Sequence, residues 1–125
     1  MRFVTSRIAC GPVPDDPQEL RDAGITHILD VSDGPGPLTD QRHGFVSMWF
    51  PPIVGPEEDI IPRAYWFACF AFIDAADRVL VHCTTGTNRA PTLVYGYLSG
   101  DCDIDERDIA HYREQALAAR AEWRA

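Results

Sequence analysis

Cys83 and Arg89 stand six positions apart, with only the small or polar residues Thr84-Thr85-Gly86-Thr87-Asn88 between them. A thiolate is a strong nucleophile, and the planar fork of a guanidinium matches two oxygens of a phosphate. The apolar run Val79-Leu80-Val81 leads into His82-Cys83, and a helix-compatible stretch beginning Ala90-Pro91-Thr92 follows the arginine. That order predicts a buried strand, a tight loop with inward-pointing amides and a helix N-terminus, which together form an anion cradle. Cys83 would lie at its floor. Gly86 would permit the turn, and Pro91 suits a first helical turn, where a missing N–H costs little. The bland alternative is a buried free cysteine near an unrelated arginine. Agreement between residue types, spacing and context favours the cradle.

The elements that must position this loop read as one alternating α/β unit, with no repeats, low-complexity tract or linker. Phe3 to Ala9 alternates as a first strand, ended by Gly11-Pro12-Val13-Pro14. Pro17 to Ala23 reads as a short helix, with Asp15 or Asp16 as its cap and Gly24 as its stop. Ile25 to Val31 is a β-branched, apolar run of the kind found in buried parallel strands. Ser32 to Asp40 is a loop by its glycines and prolines, and Phe45 to Phe50 is a further strand closed by Pro51-Pro52. From Pro62 to Ala76, Tyr65, Trp66, Phe67, Phe70, Phe72 and Ile73 crowd nearly the whole helical circumference, so this helix should be deeply packed. Arg78 to His82 is the strand feeding the loop, Arg89 to Leu98 the helix leaving it, and Asp105 to Trp123 a polar closing helix.

A chain of 125 residues is expected to form a single domain over residues 1–125. It carries a formal charge of −8, and every basic side chain apart from histidine is an arginine. An acidic surface gives no general attraction to nucleic acid or to an anionic membrane, so a polyanionic substrate would need a local field. No apolar run approaches the ~18 residues of a membrane span, and a cytoplasmic location is expected. The four cysteines, Cys10, Cys69, Cys83 and Cys102, show neither metal-ligand spacing nor the density of a disulfide scaffold. Reduced thiols are the default.

On these residues the loop resembles the signature of the cysteine-dependent protein tyrosine phosphatases. His82-Cys83 through Arg89-Ala90-Pro91-Thr92 most resembles the dual-specificity branch. A sulfurtransferase loop of the rhodanese type fits less well, since it usually has one residue fewer before the arginine. The segments Arg7-Ile8-Ala9-Cys10-Gly11-Pro12 and Gly24-Ile25-Thr26-His27-Ile28-Leu29-Asp30-Val31 also resemble the family's N-terminal half. The resemblance implies a central, mostly parallel sheet of about four to five strands with helices on both faces. It implies Cys83 as nucleophile, forming a thiophosphate that water hydrolyses, and Arg89 holding the equatorial oxygens. Thr84, Thr85, Gly86, Thr87, Asn88 and Arg89 would bind the phosphate, and His82 would orient the loop. Neither a metal nor a cofactor is implied. The expected substrate is a phosphorylated protein or a small aryl phosphate, and a neighbouring cysteine that traps the oxidised nucleophile is known in parts of the family.

Two positions depart from the family pattern. Ala90 stands where a hydroxyl residue usually helps sulfur to leave in the second step; Thr84, Thr85 and Thr87 are the available substitutes. The family's general-acid aspartate aligns with Val54 to Pro56, none of which donates a proton, and Glu57, Glu58 and Asp59 follow at once. Glu57 is the nearest candidate acid; the competing reading is that these carboxylates favour a helix dipole. Losing a general acid typically costs about 10²–10⁴ in rate, least for good leaving groups. Two alternatives follow. One is an RNA 5′-triphosphatase of the capping-enzyme type, which shares the Asn88-Arg89 pair and dispenses with the acid. The other is a pseudophosphatase that binds phosphorylated partners without turnover.

Overall fold

The strand predicted to feed the loop lies at the centre of the molecule, and its neighbours explain why. The computed structural model describes residues 1–50, 53–54, 59–60, 63–84 and 89–99. In chain order these form β1 (Arg2–Phe3), β2 (Ile8–Gly11), α1 (Pro17–Asp22), β3 (His27–Asp30), a 3-10 turn (Gln41–His43), β4 (Val46–Trp49), β5 (Ile53–Val54), β6 (Asp59–Ile60), α2 (Arg63–Ala75), β7 (Val79–His82) and α3 (Arg89–Ser99). Five strands make one sheet in the order β1-β2-β7-β3-β4. All neighbouring pairs are parallel except β1 with β2. The predicted α/β class is thus found. The predicted helix Asp105 to Trp123 lies outside the described residues.

Strand alternation divides the core into two layers. Ile8, Cys10, Leu29, Val31, Met48, Val79, Val81 and Cys83 face α2 and α3, where they join Ala68, Cys69, Ile73, Leu93 and Val94. The intervening Ala9, Ile28 and Leu80 face the other way, onto Leu20 of α1, Ile25, Leu38 and Phe45. A parallel strand buried on both faces must be apolar at successive positions, as Val79-Leu80-Val81 is. The expectation of helices on both faces is met by α1 on one side and α2 and α3 on the other.

Local chemistry sets the ends of α1. Asp16 caps it by accepting from the Gln18 amide at 2.9 Å. At the other end Gly24 adopts φ 77°, its amide donates to the Arg21 carbonyl and that of Ile25 to the Leu20 carbonyl, both at 2.9 Å. That is the two-bond C-terminal motif in which glycine is favoured, with Ile25 and Leu20 packed in the same core layer.

The single strand expected over Phe3 to Ala9 is instead a small hairpin. Thr5 breaks it: its hydroxyl accepts from the amides of Arg7 and Ile8, both at 3.1 Å, and the chain reverses so that Phe3 pairs with Ala9. A hydroxyl side chain competing for local backbone donors outweighs alternation over so few residues. A second, two-stranded sheet of β5 and β6, with Val54 opposite Asp59, was not anticipated from the sequence.

The helices behind the central strand are fixed by two contacts. A Cβ added at Gly96 of α3 would lie 2.8 Å from the Trp66 ring, so glycine there permits the close approach of α3 to α2. Arg7, leaving the β1–β2 turn, donates from Nη1 to the carbonyls of Ile73 (3.1 Å) and Ala76 (2.5 Å) and from Nη2 to the Tyr97 hydroxyl (3.4 Å). The Tyr97 hydroxyl in turn donates to Asp74. A cation on the last carbonyls of a helix satisfies orphan acceptors and complements the dipole. Replacing Arg7 by Met should therefore lower stability by about 1–3 kcal/mol, measured as a shift of the urea midpoint at unchanged slope.

Candidate active site

Of the residues singled out by their chemistry, His82, Cys83, Thr84 and Arg89 are described, and they lie where β7 ends and α3 begins. Cys83 follows β7 directly, is 3% exposed, and its amide points to the Gly11 carbonyl at 3.4 Å. Arg89 is the first residue of α3 and only 7% exposed. Pro91 falls in the first turn as expected, and α3 has no acidic residue there to compete with a bound anion. The two ends of the loop are therefore anchored, one by a central strand and the other by an 11-residue helix. Thr84 is exposed beside Cys83. Thr85, Gly86, Thr87 and Asn88 lie outside the described residues, as do Glu57 and Glu58.

His82 points away from Cys83, as strand alternation requires. It is fully buried and stands directly opposite Asp30 on β3. Its Nε2 is 3.6 Å from Asp30 Oδ2, and among the described residues neither ring nitrogen has a hydrogen-bond partner. Burial pushes the imidazole below its usual range, against the opposing pull of Asp30 and the Cys83 backbone. Burial thus disfavours the charged form of the ring.

Asp30 is the residue the sequence reading passed over. Its carboxylate, wholly buried, accepts from the Ser32 amide (3.0 Å) and hydroxyl, from the Gly36 amide (2.7 Å) and from the Thr39 hydroxyl (2.5 Å). It organises the whole of the loop that glycines and prolines had announced. Trp49 Nε1 holds the Ser32 carbonyl at 2.9 Å, and the Ser47 hydroxyl holds that of Thr39. Gly36 fits over the pair: a Cβ there would lie 3.2 Å from His82 Cε1 and 3.4 Å from Asp30 Oδ2. The same loop brings Asp33 to Arg89, with Oδ1 2.8 Å from Nη2. A carboxylate ending an otherwise apolar strand was the available signal, but its meaning depends on the β3–β7 register.

The other cysteines are placed as well. Cys69 is buried in α2, and burial pushes its thiol far up. Cys10 shares a sheet face with Cys83, and its thiol is raised first by burial and next by Cys83. Cys10 is level with Val81, one pleat before Cys83. In regular strands that offset separates the Cα atoms by roughly 8 Å, beyond the ~7 Å that a disulfide spans. Cys102 lies outside the described residues. Among the described residues there is no cluster of ligating side chains suited to a metal ion, and no helix is long and apolar enough to cross a membrane.

No family model matches the chain. In an alignment 88 positions long that covers 66% of this chain, it is 34% identical to dual specificity protein phosphatase 12 of Mus musculus, of which it spans about a quarter (25%). Its fold superposes on the crystal structure of DUSP15 with a TM-score of 0.65 and 25% identity, covering 94% of this chain and 76% of that one. Human DUSP28 gives a TM-score of 0.62 at 22% identity, over 93% of this chain and 82% of that one. Strand order, the succession of β7, Cys83, Arg89 and α3 and these similarities agree: the chain has the dual-specificity phosphatase fold of the cysteine-dependent tyrosine phosphatase superfamily.

Proposed function

We propose that the chain is a cysteine-dependent phosphatase of the dual-specificity type, hydrolysing phosphate monoesters of proteins through a cysteinyl-phosphate intermediate. The observation that carries the reading is the pairing of a buried thiol at the end of a central strand with a buried guanidinium opening a helix at the far end of a short loop. The similarity to dual-specificity phosphatases supports it.

In this reading the Cys83 thiolate attacks phosphorus, the bond from phosphorus to the ester oxygen breaks, and that oxygen leaves with a proton. Water then attacks the phosphocysteine, releasing inorganic phosphate and the thiolate. Arg89 and the loop amides of Thr84 to Asn88 stabilise the equatorial oxygens as charge redistributes. Glu57 is the proposed proton donor to the leaving oxygen. His82 supports the strand end from the opposite face and takes no proton from substrate. Neither a metal nor a cofactor enters this scheme.

Ala90 is wholly buried and lies in the same core cluster as Cys83. It offers no hydroxyl to help sulfur depart, so the second step is the slower one in this reading.

With p-nitrophenyl phosphate, Cys83→Ser should reduce turnover to background while inorganic phosphate still binds. Turnover that survives this change would remove Cys83 from the mechanism. Arg89→Lys keeps the charge but loses the fork, and kcat/KM should fall by about 10²–10³. Rapid mixing of the wild type should give a burst of nitrophenol close to one equivalent, followed by a slower steady rate. Ala90→Ser should shrink the burst and raise the steady rate, whereas an unchanged burst would place the slow step elsewhere. A wild type that binds a phosphopeptide without any turnover is instead a pseudophosphatase, and preferential release of γ-phosphate from triphosphate-ended RNA marks the triphosphatase.

A further inference from the structure

We infer that Asp33 is a positioning residue for Arg89, presented by a loop that the buried Asp30 carboxylate holds in shape. The inference rests on the proposed phosphatase reading and deepens it. Arginine has many rotamers, and a guanidinium binds two phosphate oxygens only when its plane is fixed before substrate arrives. The Arg89 side chain reaches the site from the first residue of α3, and Asp33 Oδ1 meets its Nη2 at 2.8 Å. The Asp33 side chain is 58% exposed whereas Arg89 is 7% exposed, so the carboxylate approaches from the rim and meets a mostly enclosed guanidinium. Asp33 meets one nitrogen of a guanidinium that carries five N–H donors in a fixed plane.

The second observation is that Asp33 is not on a free loop. Its neighbours are tied to one buried carboxylate: Asp30 takes the Ser32 amide and hydroxyl before it and the Gly36 amide and Thr39 hydroxyl after it. The Ser32 hydroxyl also donates to the Gly34 carbonyl at 2.7 Å, and Trp49 pins the Ser32 carbonyl. Asp30 also stands opposite His82, the residue before Cys83. Both ends of the phosphate loop are thus referenced to the same carboxylate, the nucleophile end through His82 and the arginine end through Asp33.

The test uses Asp33→Ala, Asp33→Asn and Asp33→Glu in the full chain. Asp33→Ala should weaken binding of inorganic phosphate about tenfold and lower kcat/KM for p-nitrophenyl phosphate by a similar factor. Asp33→Glu should recover part of both losses and Asp33→Asn less. The basic limb of the pH profile should keep its position, and far-UV circular dichroism should show each variant folded. In an Arg89→Lys background the same change should cost less than about twofold, since a residue acting through Arg89 is not additive with its loss. Gly36→Ala, which crowds His82 and Asp30, should reproduce the weaker phosphate binding without touching either charge. Tighter phosphate binding by Asp33→Ala would make Asp33 a competitor, and a lost basic limb would make it a proton donor. Unchanged phosphate binding would remove its role, and each of these results overturns the inference. A wild type that binds phosphate but never turns over the aryl ester fails the functional reading alone, because the phosphate comparison still decides for or against Asp33.

Discussion

A carboxylate with no access to water must find its hydrogen-bond donors in the protein, and that requirement at Asp30 shapes the functional end of the molecule. An unpaired buried charge is far more costly than any one hydrogen bond is favourable. The chain after β3 therefore curls until Ser32, Gly36 and Thr39 have brought their donors to it. The loop has no helix or strand of its own, yet its hydrogen bonds converge on one carboxylate. A glycine- and proline-rich segment gains a defined shape in this way without contributing to the sheet.

The sheet carries that order across to the loop joining β7 and α3. Asp30 and His82 are directly opposed, so the imidazole shares the carboxylate's face while Cys83, one residue later, turns to the other. The two faces have different tasks. The face toward α1 becomes polar at its C-terminal edge, and the face toward α2 and α3 stays apolar up to the thiol. One strand thereby meets a polar anchor and an enclosed sulfur at consecutive residues.

Legibility in the sequence followed the range of the forces involved. The β7-loop-α3 unit could be read because strand, loop and helix signals are contiguous from Val79 to Thr92. The ends of α1 could be read because Asp16 and Gly24 act within a few residues of themselves. Phe3 to Ala9 misled because its alternation is real, yet the Thr5 hydroxyl turns the chain in the middle of it. Asp30, Asp33 and Gly36 were hidden for a different reason. Their partners His82 and Arg89 lie some fifty residues away and are brought near only by parallel pairing of β3 with β7. Local composition identifies such a stretch as a loop and carries no information about what the loop encloses.

Gly96 carries a consequence of another kind. Its bare backbone lets α3 settle against the indole of Trp66, and Arg89 lies seven residues earlier on the same rigid rod, about 10 Å along its axis. A helix seated at one end is oriented at the other, so the direction in which the Arg89 side chain leaves α3 depends on how closely α3 and α2 touch at Gly96.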